Sequence, residues 1–454
     1  MKKLTNGKMW LFAIGQLGWS LLSGLIANWL VYFYQPDQLS IDAGQTLFIP
    51  QGRVIFGIAT VIGGIAALGR VFDAVTDPWI ANLSDRSKNK SGRRIPFMRA
   101  IAVPFAVITV LVFFAPVNGV SGINNAWLLF TLLLFYLCMT IYCTPFNALI
   151  PELGKTQEER INISTYISVT YFVGTALSFG ASAIWGFLEP SLGRVNAIRV
   201  TFAGMAFVAM LCMLVPVFAI REKDYVTTKP AEGNAFVSLR KTFRNQDFRV
   251  FVASDILYWI ALTIFQTGLA FFVTSLMGLA ESMTTVLFMA MSILSFVCYL
   301  PVNLMAKRMG KKKLVLIGFS GLSFVYIVTA LSGLFGIGGM VYGIVIVVLA
   351  AFPMAILGIL PQAMVADVAQ CEALTTGENR EGMFYAARTF SFKLGQSVAM
   401  LVFTALASIG TAGLGYRIAA IVAAVLCLLG AVVLTRYNEK KIFAQLEQAA
   451  PEQN

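Results

Sequence analysis

The chain has 454 residues, of which 58% are hydrophobic, and a mean hydropathy of +0.77, well above a soluble domain in which roughly half of the residues are apolar. These values exclude a water-soluble fold and predict an integral membrane protein. The formal charge of +12 does not point to nucleic acid, because the Lys and Arg residues gather in alternate loops.

Long apolar runs recur along the whole chain, each about 20 residues or more and so able to cross a hydrocarbon core of roughly 30 Å as a helix. No period-two alternation points to a β-barrel. The runs predict helices over residues 9–34, 53–80, 96–117, 125–150, 160–188 and 197–221, then 249–277, 282–305, 313–335, 338–368, 383–408 and 415–437. The expected fold class is therefore an all-α membrane protein of twelve transmembrane helices. The first run is too long for a signal-peptide core and is read as a retained helix.

The second predicted helix and the loop after it organise the reading. Arg70, Asp73 and Asp77 interrupt an apolar stretch at spacings of three and four, which puts all three on one helix face. A carboxylate in the hydrocarbon costs about 3 kcal/mol on insertion scales, so that face is expected to look at the bundle interior or an aqueous path. Two aspartates there suggest a cation site; a structural ion pair between Arg70 and Asp73 is the simpler alternative, and it leaves Asp77 unexplained. The following loop carries Arg86, Lys88, Lys90, Arg93 and Arg94, and the eighth connection carries Lys307, Arg308, Lys311, Lys312 and Lys313. With Lys2, Lys3 and Lys8 these place both termini in the cytosol.

Residues 222–248 form a polar gap that divides the chain into an N-terminal six-helix bundle, 1–221, and a C-terminal one, 249–437, with a cytosolic tail over 438–454. Part of the gap has the spacing of a short amphipathic helix, and a flexible tether is the alternative. The halves repeat faintly, ANLSDRSKNKSGRRIPF against VNLMAKRMGKKKLVLIG, which predicts two parallel six-helix bundles of the major facilitator kind with a substrate site near the midplane. The chain has no His, and its six Cys lie mainly within apolar runs, so His-based catalysis, His metal ligands and disulfides are not expected. With no nucleophile and base pair or metal cluster in the sequence, the protein is not expected to be an enzyme.

GRVFDAVTDPWIANLSDR, TIYCTPFNALIPELGKTQEER, FRNQDFR and MVADVAQCEALTTGENREGMFYAARTFSFKLGQS together resemble the glycoside-pentoside-hexuronide:cation symporters, the family of the melibiose permease. The resemblance covers essentially the whole chain. It implies a secondary transporter that couples a sugar to sodium or a proton by alternating access, with no other cofactor and no metal beyond a possible sodium ion. It implies a cation site at Asp73, Asp77, Thr76 and Thr140, with Arg70 and Lys393 as charge partners. The family's sugar positions correspond to Ser20, Cys143, Asn147, Ser168 and Thr389, and only Thr389 keeps the family residue type.

Trp19, Trp29, Tyr142, Tyr166, Tyr171, Trp259, Gln266 and Tyr385 are further candidates for stacking or hydrogen bonds to a polyol. A hexuronate would need a cation in the cavity, and because Arg70 and Lys393 are both expected to have carboxylate partners, a neutral glycoside is expected. Asp85, Arg86, Arg93, Glu152, Arg160, Asp367, Arg380 and Glu381 are expected to form a cytosolic gate of ion pairs. Membrane lipid is the expected environment, with a small-molecule partner, no nucleic acid, a functional monomer and a bacterial inner membrane as the default location. A related eukaryotic branch carries lysophospholipids, so a lysolipid cargo is the alternative.

Overall fold

The computed structural model describes residues 4–85, 87, 89, 92–154, 157–225, 240–376, 381–410 and 413–449. The described residues group into two compact units, Met1–Glu232 with Ala280–Thr285, and Gly233–Leu279 with Val286–Asn454. Eleven described helical spans are long and apolar enough to cross a membrane. A twelfth long helix, Val61–Asp85, carries four charged residues, Arg70, Asp73, Asp77 and Asp85.

In the first unit the helices are α1 (Asn6–Tyr34), α2 (Gln38–Asp42), α3 (Val61–Asp85), α4 (Ile95–Val112), α5 (Gly122–Leu153), α6 (Gln157–Phe179), α7 (Ala181–Leu192) and α8 (Arg194–Ala219). α1 packs on α6 and α8, α3 on α5, α4 on α5 and α8, and α7 on α8. The second unit contains α9 (Gln246–Phe271), α10 (Met283–Met309) from Val286 onward, α11 (Lys311–Leu331), α12 (Gly339–Thr376), α13 (Glu381–Ala407), α14 (Leu414–Leu434) and α15 (Glu439–Ala449). There α9 packs on α13 and α14, and α11 on α12 and α14. The packings of α1 with α6 and α8, and of α4 with α5 and α8, thus recur in the second unit. The close packing of α3 on α5 has no counterpart among these.

Several expected boundaries move, the third helix ending at Val112 instead of 117 and the tenth running to Thr376 instead of 368. The second helix begins at Val61, not at 53, because Phe56 and Gly57 take positive φ (51° and 70°) in a turn closed by an Ile55–Ala59 bridge. Thr60 then caps the helix, accepting from the Gly63 N–H at 3.1 Å. The single helix expected over 160–188 divides at Gly180 into α6 and α7.

The internal repeat has a structural basis that the basic loops alone do not reveal. Gly92 and Gly310 both take positive φ (127° and 86°), a region open to glycine, and each precedes a basic pair at a helix start. Beside Gly92, the buried Glu222 carboxylate accepts the backbone N–H groups of Arg93, Arg94 and Ile95 at 2.9, 2.9 and 3.0 Å. Beside Gly310, Glu439 accepts those of Lys311 and Lys312 at 2.7 and 3.1 Å. A carboxylate from beyond the sixth long helix of each half therefore satisfies the orphan donors, and the positive dipole end, of that half's third.

At the other end of the first unit, Arg194 pairs with Glu281 at 2.5 Å, and Trp185 Nε1 donates to the same carboxylate at 2.9 Å. This holds the Ala280–Thr285 segment to α7 and α8.

Candidate functional site

Asp73 lies near the middle of α3 and is fully buried, and Thr76 and, on α5, Thr140 are buried beside it. Gly69 makes this approach possible, since a Cβ there would stand 2.6 Å from the Tyr136 ring of α5. The helices therefore come close enough for Thr140 Oγ1 to reach Asp73 Oδ1 at 3.0 Å and Asp77 Oδ1 at 3.2 Å. Thr76 Oγ1 donates to the Asp73 backbone carbonyl at 3.1 Å and lies 3.4 Å from Thr140 Oγ1.

A hydroxyl has one proton, so Thr140 cannot donate fully to both carboxylates at once. The cluster has more acceptor oxygens than protons to fill them, and two of its members are carboxylates. It is a set of hard oxygen donors in an apolar helix pair, suited to sodium or to a proton. Among the described residues no three His, Cys, Asp or Glu side chains converge, which leaves this carboxylate and hydroxyl set without the soft or nitrogen ligands that transition metals prefer. Pro78, next to Asp77, has no N–H to offer the Ala74 carbonyl, one helical turn away at the same level.

Arg70 does not do what its spacing predicts. Among the described residues it forms no ion pair with Asp73 or any other carboxylate; its guanidinium lies over the Tyr136 ring, 5.2 Å from the centroid. An arginine side chain is long enough to reach the neighbouring helix, and the aromatic face competes with the carboxylate on its own helix. The premise that made a neutral cargo the expectation therefore fails for Arg70. Lys393 lies half-buried at the middle of α13 in the second unit.

The expected sugar positions separate into two groups. Ser20 is enclosed where α1 meets α6, with its Oγ donating to Leu17 O at 3.1 Å and lying against Gly174. Cys143 and Asn147 continue the Thr140 face of α5 and are half-buried and exposed, respectively. Ser168 is exposed on α6, its hydroxyl bonded to Ser164 O at 2.9 Å, and Thr389 is half-buried on α13. Among the aromatic candidates, Trp29 and Tyr142 belong to the core: Trp29 Nε1 donates to Ser178 O at 2.7 Å and Tyr142 Oη to Met213 O at 2.8 Å. Tyr166 stacks on Trp10 and Trp259 on Phe392.

Of the expected gate residues, Arg93 and Arg94 both pair with Glu152, at 3.0 and 2.9 Å, and Asp367 pairs with Lys311 at 2.6 Å. These pairs lie within a unit in each case. Arg86 and Arg380 lie outside the described residues, as do the side chains of Asp85, Arg160 and Glu381.

Sequence reasoning missed one charged pair. Asp255 of α9 and Arg388 of α13 form a buried two-pronged ion pair at 2.8 and 2.9 Å, beside the Phe251 ring. The available signal was a charge well inside each of two apolar runs, Asp255 in one and Arg388 in the other, and a charge in such a run requires a partner.

A family model described as MFS/sugar transport protein matches residues 11–440. The isoprimeverose transporter of Lactiplantibacillus pentosus is 23% identical over 317 residues, covering 68% of this chain and 60% of that one. The sodium-dependent lysophosphatidylcholine symporter 1 of Xenopus tropicalis is 23% identical over 375 residues, covering 74% and 70%. The crystal structure of a D-xylose-proton symporter superposes with a TM-score of 0.66 at 12% identity, over 94% of this chain and 97% of that one, which is a likeness of fold.

Proposed function

The chain belongs to the MFS/sugar transport protein family, and from that premise we propose that it is a symporter which draws a sugar or glycoside into the cell together with sodium or a proton. The observation that carries the reading is the Thr140 hydroxyl held between the Asp73 and Asp77 carboxylates. Two carboxylates this close repel one another, and a cation relieves that repulsion. Binding of the cation then favours the conformation that takes up cargo, and cargo and ion cross together as the two six-helix halves alternate their access. The three boundaries read from the sequence, at 221, 248 and 437, define the halves, the cytosolic linker and the tail in this scheme.

The protein works as a monomer in a bacterial inner membrane, with both termini in the cytosol, and the basic loops and the Arg93, Arg94, Glu152 and Lys311, Asp367 pairs form part of the cytosolic gate. A univalent cation crossing 100 mV releases about 2.3 kcal/mol, enough to concentrate a sugar some tens of times. It has no catalytic role in this reading, and no cofactor other than the coupling ion.

The test is the thermal stability of the purified protein across a sugar panel in sodium or choline buffer, for wild type, Asp73→Asn and Asp77→Asn. A sugar that stabilises wild type only with sodium, and neither variant, is the expected result for sodium coupling; dependence on pH instead of sodium indicates proton coupling. Stabilisation by a sugar that ignores ion, pH and both substitutions would sink the symport mechanism. The similarity to a lysophosphatidylcholine symporter supports a second reading, in which lysolipids and no sugar stabilise the protein.

A further inference from the structure

The turn that leads into α3 presents its apolar side chains outward. Val54, Phe56 and Ile58 are 56%, 95% and 73% exposed, and Arg53 beside them is exposed with no carboxylate partner among the described residues. The turn is nevertheless firmly built. Ile55 and Ala59 exchange backbone hydrogen bonds at 3.0 and 3.1 Å, and the Ile55 side chain packs on Gly64 of α3. Gln51 Nε2 ties the root of the turn to the Tyr34 and Ile49 carbonyls, 2.9 Å from each.

Phe56 takes a φ of 51°, a region that a bulky side chain occupies only under constraint and that Gly or Asn would fill at less cost in a solvated turn. Its ring meets almost nothing of the protein. An aromatic ring held out in this way, between two other exposed apolar side chains, forms a patch that marks a contact with something apolar.

The neighbouring helix says what that is. Leu68, Val71, Val75, Trp79 and Leu83 are exposed at spacings of three and four, which makes one apolar stripe on the side of α3 away from Asp73 and Asp77. On a membrane-spanning helix such a stripe faces lipid. The far end of α3 is set by Asp85 and the basic loop that follows, so a hydrocarbon core of roughly 30 Å, about 20 residues of helix, reaches back to about residue 65. Residues 53–58 therefore stand just past the hydrocarbon, among the lipid headgroups, where aromatic side chains settle and a guanidinium meets phosphate.

We propose that Val54, Phe56 and Ile58 form a wedge in the membrane leaflet opposite the basic loops, and that Arg53 pairs there with the phosphate of an anionic phospholipid. A choline or ethanolamine headgroup carries its own cation, which competes with Arg53 for that phosphate; a glycerol headgroup does not. The lipid is thus an extension of the lipid face of α3, held by one charge.

The test uses the full chain in bilayers, with Phe56→Trp and, separately, Ile58→Trp as reporters, and the signal of the seven native tryptophans subtracted by means of the wild type. Bromines near the headgroup end of the acyl chains are expected to quench the new tryptophan more than bromines near the methyl end, and aqueous iodide is expected to quench it little. In mixed bilayers, brominated phosphatidylglycerol should quench it as though enriched roughly fivefold over brominated phosphatidylcholine, the effect of one Arg at an anionic surface. Arg53→Gln should abolish that enrichment and leave quenching by brominated phosphatidylcholine unchanged.

Iodide quenching at both positions without bromolipid quenching overturns the wedge. So does emission that follows the protein-to-lipid ratio and ignores bromine, which would mean that a second copy of the chain covers the turn. Equal quenching by the two brominated lipids, or enrichment that survives Arg53→Gln, overturns the assignment of Arg53.

Discussion

Replacing Thr140 by valine removes one hydroxyl at nearly constant volume and tests whether that oxygen is a ligand. In the ion-free site the Thr140 proton is committed to Asp73 or Asp77, at 3.0 and 3.2 Å, and its lone pairs are left for the incoming ion. A bound sodium therefore keeps the hydrogen bond and gains an oxygen contact. Valine forfeits that contact, which is on the scale of a hydrogen bond to a charged group, about 1.5–3 kcal/mol. Part of this is returned because two carboxylates without a donor between them attract a cation more strongly. A net loss of about 2 kcal/mol corresponds to roughly a 30-fold rise in the half-saturating sodium concentration.

The assay is a sodium titration of thermal stability, with Thr140→Ser as the control that keeps the oxygen and stays within about threefold of wild type. If Thr140→Val also stays within threefold, Thr140 is not a ligand and the site geometry proposed above is wrong. If the coupling ion is a proton, sodium has no effect on either protein, and pH-driven uptake survives the substitution, because a proton needs only one carboxylate oxygen.

Two further substitutions probe what holds the helices around the site. Asp255→Asn leaves the Arg388 guanidinium buried without its counter-charge and should cost about 3–5 kcal/mol in thermal unfolding, whereas Asp255→Leu with Arg388→Met should restore most of the loss. An equal loss in the double variant would show that the pair does more than cancel its own charges. Glu222→Ala frees three N–H groups at the start of α4 and Glu439→Ala frees two at the start of α11, so the first should lower the melting temperature more, by about 2–4 kcal/mol in stability terms. Glu222→Gln should fall between wild type and Ala; a melting temperature unchanged by Glu222→Ala would remove this carboxylate from the account of the helix start.

The helices were legible because lipid imposes a long apolar run on each, and the aspartates because a charge in such a run stands out against it. Local backbone events were harder. Val54, Ile55 and Phe56 extend the apolar run of α3 backwards, and nothing in their hydropathy reports that Phe56 takes a positive φ. Side-chain direction was harder still. Arg70 shares a helix face with Asp73 by spacing, yet four rotatable bonds let it choose the Tyr136 ring of the next helix, a choice set by packing at Gly69. The Asp255–Arg388 pair joins residues 133 apart in sequence, so each charge announced a need without naming its partner. Glu222 and Glu439 had a faint signal, since each begins the dipeptide Glu-Lys just past the sixth long helix of its half, and it gains meaning only beside the Gly92 and Gly310 turns.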